Sequence, residues 1–259
     1  MRIFVPPEDI AKREGIKLNA DKSHYLISVL RCKKSDIISV IDGKGKAYEA
    51  VISDISKDNV FIDVINEIQP GTESSLNLIL CQGILKGEKM NLVIQKTTEL
   101  GVKEIIPLIT ERCIVRETRK VKRWQKIAEE AAEQCGRTMI PTVHEPIQFN
   151  ELFKGEVYSK FEVVERWGIG KMNGFIFWEK GGISLKEAVL KISPSHLHPF
   201  TSSSIHLFVG PEGGFTAEEV RQSEDYGLIR TSLGKRILRA ETAAIVSVAL
   251  VQNIIEQNL

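Results

Sequence analysis

Phe208-Val209-Gly210-Pro211-Glu212-Gly213-Gly214-Phe215-Thr216 decides the reading of this chain. His206-Leu207-Phe208-Val209 has the form of a buried strand that stops at a glycine-rich turn, with a helix behind it. Downstream, Leu233-Gly234-Lys235-Arg236-Ile237-Leu238-Arg239-Ala240-Glu241-Thr242 has the form of a second strand end, a tight bend and a long apolar helix. Two strand ends that carry glycines, side by side in one sheet, make a place for a nucleotide-like cofactor.

The residues of the turn select among such cofactors. The spacing G-x-x-G-G is neither the dinucleotide fingerprint nor a phosphate loop. Pro211 removes an amide donor that a phosphate cradle needs, and Glu212 sets a negative charge where a pyrophosphate would sit. The turn suits an adenosine that carries a positive centre, as S-adenosylmethionine does. Thr216 and Glu219 have the spacing of a capping box, so a tight strand-to-helix connection is expected in either case.

Outward from this stretch, strands and helices alternate. Strands are expected at 76–83, 102–109, 175–178, 205–209 and 228–233. Helices are expected at 87–100, 122–135, 184–192, 216–226 and 241–257. This alternation implies an α/β domain with a mainly parallel sheet. In the helix at 122–135, Trp124, Ile127, Ala128, Ala131 and Cys135 fall on one stripe. Residues 1–70 read differently. Ile37–Ile41, the turn Asp42-Gly43-Lys44-Gly45 and Ala47–Ile52 form a hairpin, and Asn59–Ile65 alternates as a third strand. One helix is expected from Ala20 to Val29, capped by Asp21. Short strands with one helix suggest a small barrel. The polar stretch 69–75 is the expected linker, which leaves residues 76–259 as the second domain. Residues 150–174 resist assignment, and Pro194–Ser204 reads as an exposed loop.

Composition gives no strong pull. The 35 basic and 34 acidic residues nearly cancel, so net charge makes no argument for nucleic acid, although basic clusters occur at 31–34, 116–126 and 235–239. Hydrophobic content of 42% and charged content of 27% are ordinary for a globular chain. Cys32, Cys81, Cys113 and Cys135 are widely spaced, which argues against a zinc site or a disulfide framework. His196 and His198 have no cysteine or paired carboxylate beside them, so no metal is expected. No signal-like start and no membrane-spanning apolar run are present, so a cytoplasmic protein without membrane contact is expected.

The two C-terminal stretches resemble the signatures of the RsmE family, 16S ribosomal RNA uridine N3-methyltransferases of the SPOUT superfamily. Lys86–Met90 with Gln95–Val102 is similar to that family's first helix, and Glu130–Arg137 to its central helix. Arg2–Val5 and His24–Arg31 are similar to its N-terminal domain. The resemblance implies a PUA-like RNA-binding barrel followed by a catalytic domain whose C-terminal segment forms a deep trefoil knot. It also implies S-adenosylmethionine held in that knot, a homodimer, and 16S ribosomal RNA or the small ribosomal subunit as partner.

On this reading Gly210, Pro211, Glu212, Gly213, Gly214, Leu233, Gly234, Ile237, Leu238, Glu241 and Thr242 form the cofactor cradle. Glu241 and Thr242 have a competing role in capping the last helix. Arg239, at the bend, is the candidate for stabilising charge on uracil as its N3 proton leaves. Arg2, His24, Arg31, Lys86, Lys96, Arg116 and Arg137 are the RNA-binding candidates. The competing readings are a SPOUT methyltransferase with another RNA target, a non-catalytic RNA-binding ribosome assembly factor, and a nicotinamide oxidoreductase. The intact signature stretches argue against the second, and the missing dinucleotide fingerprint against the third.

Overall fold

A computed structural model describes residues 2–153, 172–192 and 204–257. Contacts divide the chain into two units. The first is Met1–Glu73 with Glu129–Ile140, and the second is Ser74–Ala128 with Pro141–Leu259.

The first unit is built on a five-stranded sheet of β1 (Arg2–Phe4), β2 (Ile16–Lys17), β3 (Ile37–Ile41), β4 (Ala47–Ser56) and β5 (Asn59–Ile68). Their order is β1-β3-β4-β5-β2. Strand β1 runs parallel to β3, and the other pairs are antiparallel. The β3–β4 hairpin closes where the Asp42 carboxylate accepts from the Lys44 and Lys46 amides, with Gly43 at φ +71°. Alternation along β4 and β5 sends Tyr48, Ala50, Ile52, Val60 and Ile62 into one core with Ile3, Val40 and Leu26.

Helix α1 (Pro7–Ile10) is one turn long. The helix expected at 20–29 is two pieces, α2 (Ala20–His24) and a π-helical turn at Tyr25–Val29. Its cap is Asn19 rather than Asp21. Asn19 has the extended backbone of a cap residue and its side chain accepts from Lys22 N at 2.9 Å, which leaves Asp21 inside the first turn.

The second unit carries a parallel sheet of β6 (Asn77–Gly83), β7 (Glu104–Ile109), β8 (Thr142–Val143), β9 (Ile147–Gln148), β10 (Gly174–Phe177), β11 (Ile183–Ser184), β12 (Ser204–Val209) and β13 (Ile229–Ser232). The order is β11-β13-β10-β12-β6-β7-β8, and β9 also pairs with β7. Strands β10 and β12 are buried along their whole length and β6 nearly so, which explains their continuous apolar runs. The helices are α3 (Lys89–Glu99), α4 (Val121–Cys135, of which the residues from Glu129 on are counted with the first unit), α5 (Leu185–Lys191), α6 (Ala217–Asp225) and α7 (Ala240–Glu256).

Helix α3 buries Met90, Val93, Ile94 and Thr97, and Gly101 ends it at φ +95°. The buried stripe of α4 is Trp124, Ala128, Ala131 and Ala132. Ile127 is half-buried and Cys135 is exposed, so the stripe expected from sequence drifts by a residue along the helix. Helix α7 packs on α3, α5, β6 and β12. All four cysteines are free thiols, and no helix among the described residues is long and apolar enough to cross a membrane.

Candidate active site

The C-terminal ends of β10, β12 and β13 open onto one cavity of about 510 Å³ in the second unit. Crevices outside the carboxyl ends of parallel strands are where this architecture binds ligands, and the volume is that of a small-molecule site. Phe177 to Glu179 form one wall, Val209 to Gly214 a second, and Ser232 to Leu238 a third. Arg239, Ala240, Glu241 and Ala243 enter from the start of α7, and Lys89 from the start of α3.

The glycine-rich wall is held from several sides. Gln82 Nε2 donates to Gly83 O at 2.9 Å and to Gly210 O at 3.2 Å. Arg112 Nη1 donates to Gly213 O at 3.0 Å and Phe215 O at 3.3 Å, and Trp178 Nε1 also donates to Phe215 O at 3.3 Å. The capping box of Thr216 and Glu219 forms as the sequence implied. Steric limits explain the glycines. A Cβ on Gly83 would lie 2.5 Å from Pro211 Cδ and N, and one on Gly213 would lie 2.9 Å from Arg112 Cβ. Gly214 has φ +66°, and a Cβ there would lie 3.1 Å from a carboxylate oxygen of Glu179.

Three carboxylates, Glu179, Glu212 and Glu241, line this cavity. Burial pushes the Glu212 carboxyl up. Hydrogen bonds from its own amide and the Lys86 amide, and the Lys89 ammonium, outweigh that and hold it below its ordinary value. The Lys86 amide donates to Glu212 Oε1 at 3.1 Å and Lys89 Nζ at 3.2 Å. In the strand that leads to the turn, His206 is fully enclosed, opposite Gly174 of β10 and Ile79 of β6. Burial lowers its pKa to about 4 against the raising effect of its hydrogen bond to Asn173 O, so the imidazole is neutral at pH 7.

Of the expected cofactor residues, Gly210 to Gly214, Leu233, Gly234, Ile237, Leu238 and Glu241 line the cavity, and so does Arg239. Thr242 does not line it and is exposed. Arg239 is the N-cap residue of α7, exposed, and pairs with no carboxylate among the described residues. The cavity fits an adenosyl sulfonium better than a pyrophosphate. Carboxylates face into it, Pro211 offers no amide, and Val209, Phe177, Ile237 and Leu238 give apolar surface.

The RNA candidates do not form one group. Arg137 is 4% exposed, and its guanidinium pairs with Glu73, which also accepts from the Thr138 and Met139 amides. These bonds give it a structural role within the first unit. Arg2 is half-buried and donates to the Thr72 hydroxyl, and Lys96 pairs with Glu99. His24, Arg31, Lys86 and Arg116 are exposed. His24 meets the Ser28 hydroxyl through Nδ1, and Arg116 donates to Glu111 O.

Sequence reasoning missed Arg112, Trp178, Glu179 and Lys89. Glu179 directly follows an expected strand, a position that signals a site, and Lys89 lies in the Lys86–Met90 stretch; Arg112 and Trp178 carry no local signal. His196 and His198 lie outside the described residues, and among the described residues no cluster could hold a metal ion.

Residues 72–252 match the model of an RNA methyltransferase domain, and residues 18–65 that of an RNA methyltransferase PUA domain. The chain is 32% identical to the ribosomal RNA small subunit methyltransferase E of Buchnera aphidicola subsp. Acyrthosiphon pisum, over 97% of this chain and 92% of the relative. It is 28% identical to the protein of that name from Bacillus subtilis, over 96% of this chain and 94% of the relative. Among solved structures, it is similar to a ribosomal RNA small subunit methyltransferase E from Neisseria gonorrhoeae bound to S-adenosyl methionine. The TM-score is 0.80 and the identity 32%, with 98% of this chain and 97% of that one covered. A putative methyltransferase from Legionella pneumophila, in complex with the same cofactor, gives a TM-score of 0.78 at 31% identity, with 97% of this chain and 96% of that one covered. The chain belongs to the family of the ribosomal RNA small subunit methyltransferase E proteins.

Proposed function

We propose that the protein methylates N3 of a uridine in 16S ribosomal RNA of the small ribosomal subunit, with S-adenosylmethionine as the methyl donor. The observation that carries this reading is the cavity at the ends of β10, β12 and β13, where glycine-rich turn, carboxylates and an exposed arginine meet. When bound, S-adenosylmethionine supplies an activated methyl group on a positively charged sulfur. The chain's own residues do the rest. Val209, Ile237 and Leu238 would give the cofactor's adenine apolar surface to pack on. Glu179, Glu212 and Glu241 favour a cationic centre through their charge. Arg239 stabilises the negative charge that grows on the uracil oxygens as the N3 proton leaves; its exposed position at the cavity and its lack of a carboxylate partner among the described residues support that role.

The same reading gives a PUA-like RNA-binding barrel at residues 1–70 and a SPOUT catalytic domain at 76–259. In it the segment from β13 into α7 forms the trefoil knot. It takes two copies of the chain as the working unit, in the cytoplasm, with Arg2, His24, Arg31, Lys86, Lys96 and Arg116 toward RNA. Support comes from the match of residues 18–65 to an RNA methyltransferase PUA domain and of 72–252 to an RNA methyltransferase domain, and from the packing of α7 back onto α3.

The test is to incubate the protein with labelled S-adenosylmethionine and either small subunits or naked 16S ribosomal RNA, then to identify the modified nucleoside by mass spectrometry. N3-methyluridine is the expected product, and the better substrate shows whether the RNA is recognised before or after assembly. No methylated uridine on either substrate would overturn the reading, and a different methylated base would point to another RNA target.

A further inference from the structure

Three segments distant in sequence meet at Lys89, and this meeting has consequences for the cavity. The start of α3 contributes Lys89, the glycine-rich turn Glu212, and the first turn of α7 Glu241. Lys89 Nζ lies 3.2 Å from Glu212 Oε1 and 4.0 Å from Glu241 Oε2. The Lys89 side chain is 41% exposed, whereas those of Glu212 and Glu241 are 25% and 12% exposed. Glu241 Oε2 is buried and has no hydrogen-bond partner, so the ammonium is the positive charge nearest to it. Two carboxylates from different segments thus share one cation at the wall of the cavity.

We infer that Lys89 is a positioning residue for the methyl-donor site, an inference that rests on the cofactor reading above. Lys89 acts through Glu212 on the glycine-rich turn and through Glu241 on the entry of α7. Both segments line the cavity. Without the ammonium, two carboxylates from different segments are left around one point of the wall with their shared cation gone, and their like charges repel. The loss therefore falls on the cavity more than on the sheet, because the sheet is held by its own ladder and core. An arginine keeps the charge and reaches both carboxylates; a methionine keeps only the apolar stem.

The test is calorimetric titration of S-adenosylhomocysteine into the full chain, with unliganded thermal unfolding measured alongside. Wild type is titrated first, because its failure to bind would overturn the cofactor reading and not this inference. Lys89→Met is expected to weaken binding roughly tenfold, with Lys89→Arg recovering most of the affinity. Adding Glu212→Gln to Lys89→Met is expected to restore part of the loss, since it removes one of the two repelling charges. Wild-type affinity in Lys89→Met, an equal loss in Lys89→Arg, or strictly additive effects in the double variant would each overturn the inference. Should Lys89→Met not fold, Lys89→Gln takes its place in the same comparison.

Discussion

The two long walls of the cavity are built to different standards. The Gly210–Phe215 wall is pinned by Gln82, by Lys86 and Lys89, by Arg112 and by Trp178, from four stretches of the second unit. The wall from Leu233 to Arg239 is held lightly. Among the described residues, the Ser232 hydroxyl bonds Gly234, and Lys235, Arg236 and Arg239 stand exposed, with Ile237 at 80% exposure. A preformed wall lowers the ordering cost of binding a ligand, and a lightly held wall lets charged groups meet a second ligand. On the proposed reading the glycine-rich wall supplies the preformed part of the cofactor site, to which Ile237 and Leu238 add apolar surface, while Arg239 on the second wall is left for the chemistry on RNA.

Changes to the pinned wall break this division most severely. Gly83→Val sets a side chain where even a Cβ would lie 2.5 Å from Pro211, and both sides of that contact are backbone or ring. Overpacking of this kind costs about 1–3 kcal/mol or more. Thermal unfolding should show a marked loss, with no measurable binding of S-adenosylhomocysteine.

Acid should act next, through the strand that leads into the same wall. His206 has a pKa of about 4 in the fold, below its ordinary 6.5, so the unfolded chain binds more protons between those values. Stability is full above the unfolded value and falls as pH drops toward the folded one, by about 2 kcal/mol at roughly pH 5. Denaturant titrations across that range should show the slope in wild type and a flatter profile in His206→Asn.

Arg112→Ala removes both guanidinium bonds to the turn from a partly solvent-exposed position. Calorimetry should show cofactor affinity reduced by roughly tenfold, equal to about 1.4 kcal/mol, with little change in the unfolding temperature. Thr216→Ala is the mildest. It removes the cap of α6 behind the turn and should lower stability by about 1 kcal/mol in chemical denaturation, leaving the basic wall untouched.

The strands β6, β10 and β12 were legible because continuous apolar runs mark strands covered on both faces. The glycine-rich turn was legible because its proline and glutamate exclude phosphate chemistry locally, without help from the rest of the fold. Long-range partners were not legible. Nothing near Arg137 in sequence announces that Glu73 will bury it, and the partners of Lys89 and Arg112 lie far along the chain in the turn. The Asn19 cap was missed for a different reason. Asn19 and Asp21 are both good caps, and only the extended backbone at Asn19 separates them. Thr242 was included with its neighbours in the signature, but the turn of α7 points it to solvent, away from the cavity.

The division of labour between the walls is tested most directly in Arg239→Ala, by measuring S-adenosylhomocysteine affinity and single-turnover methyl transfer to ribosomal RNA on the same preparation. Affinity should match wild type, because Arg239 makes no bond to the pinned wall among the described residues. Methyl transfer should fall by about a hundredfold, the usual effect of removing one charge-stabilising group. A loss of cofactor affinity in proportion to the loss of transfer would contradict the division and make Arg239 part of the binding wall.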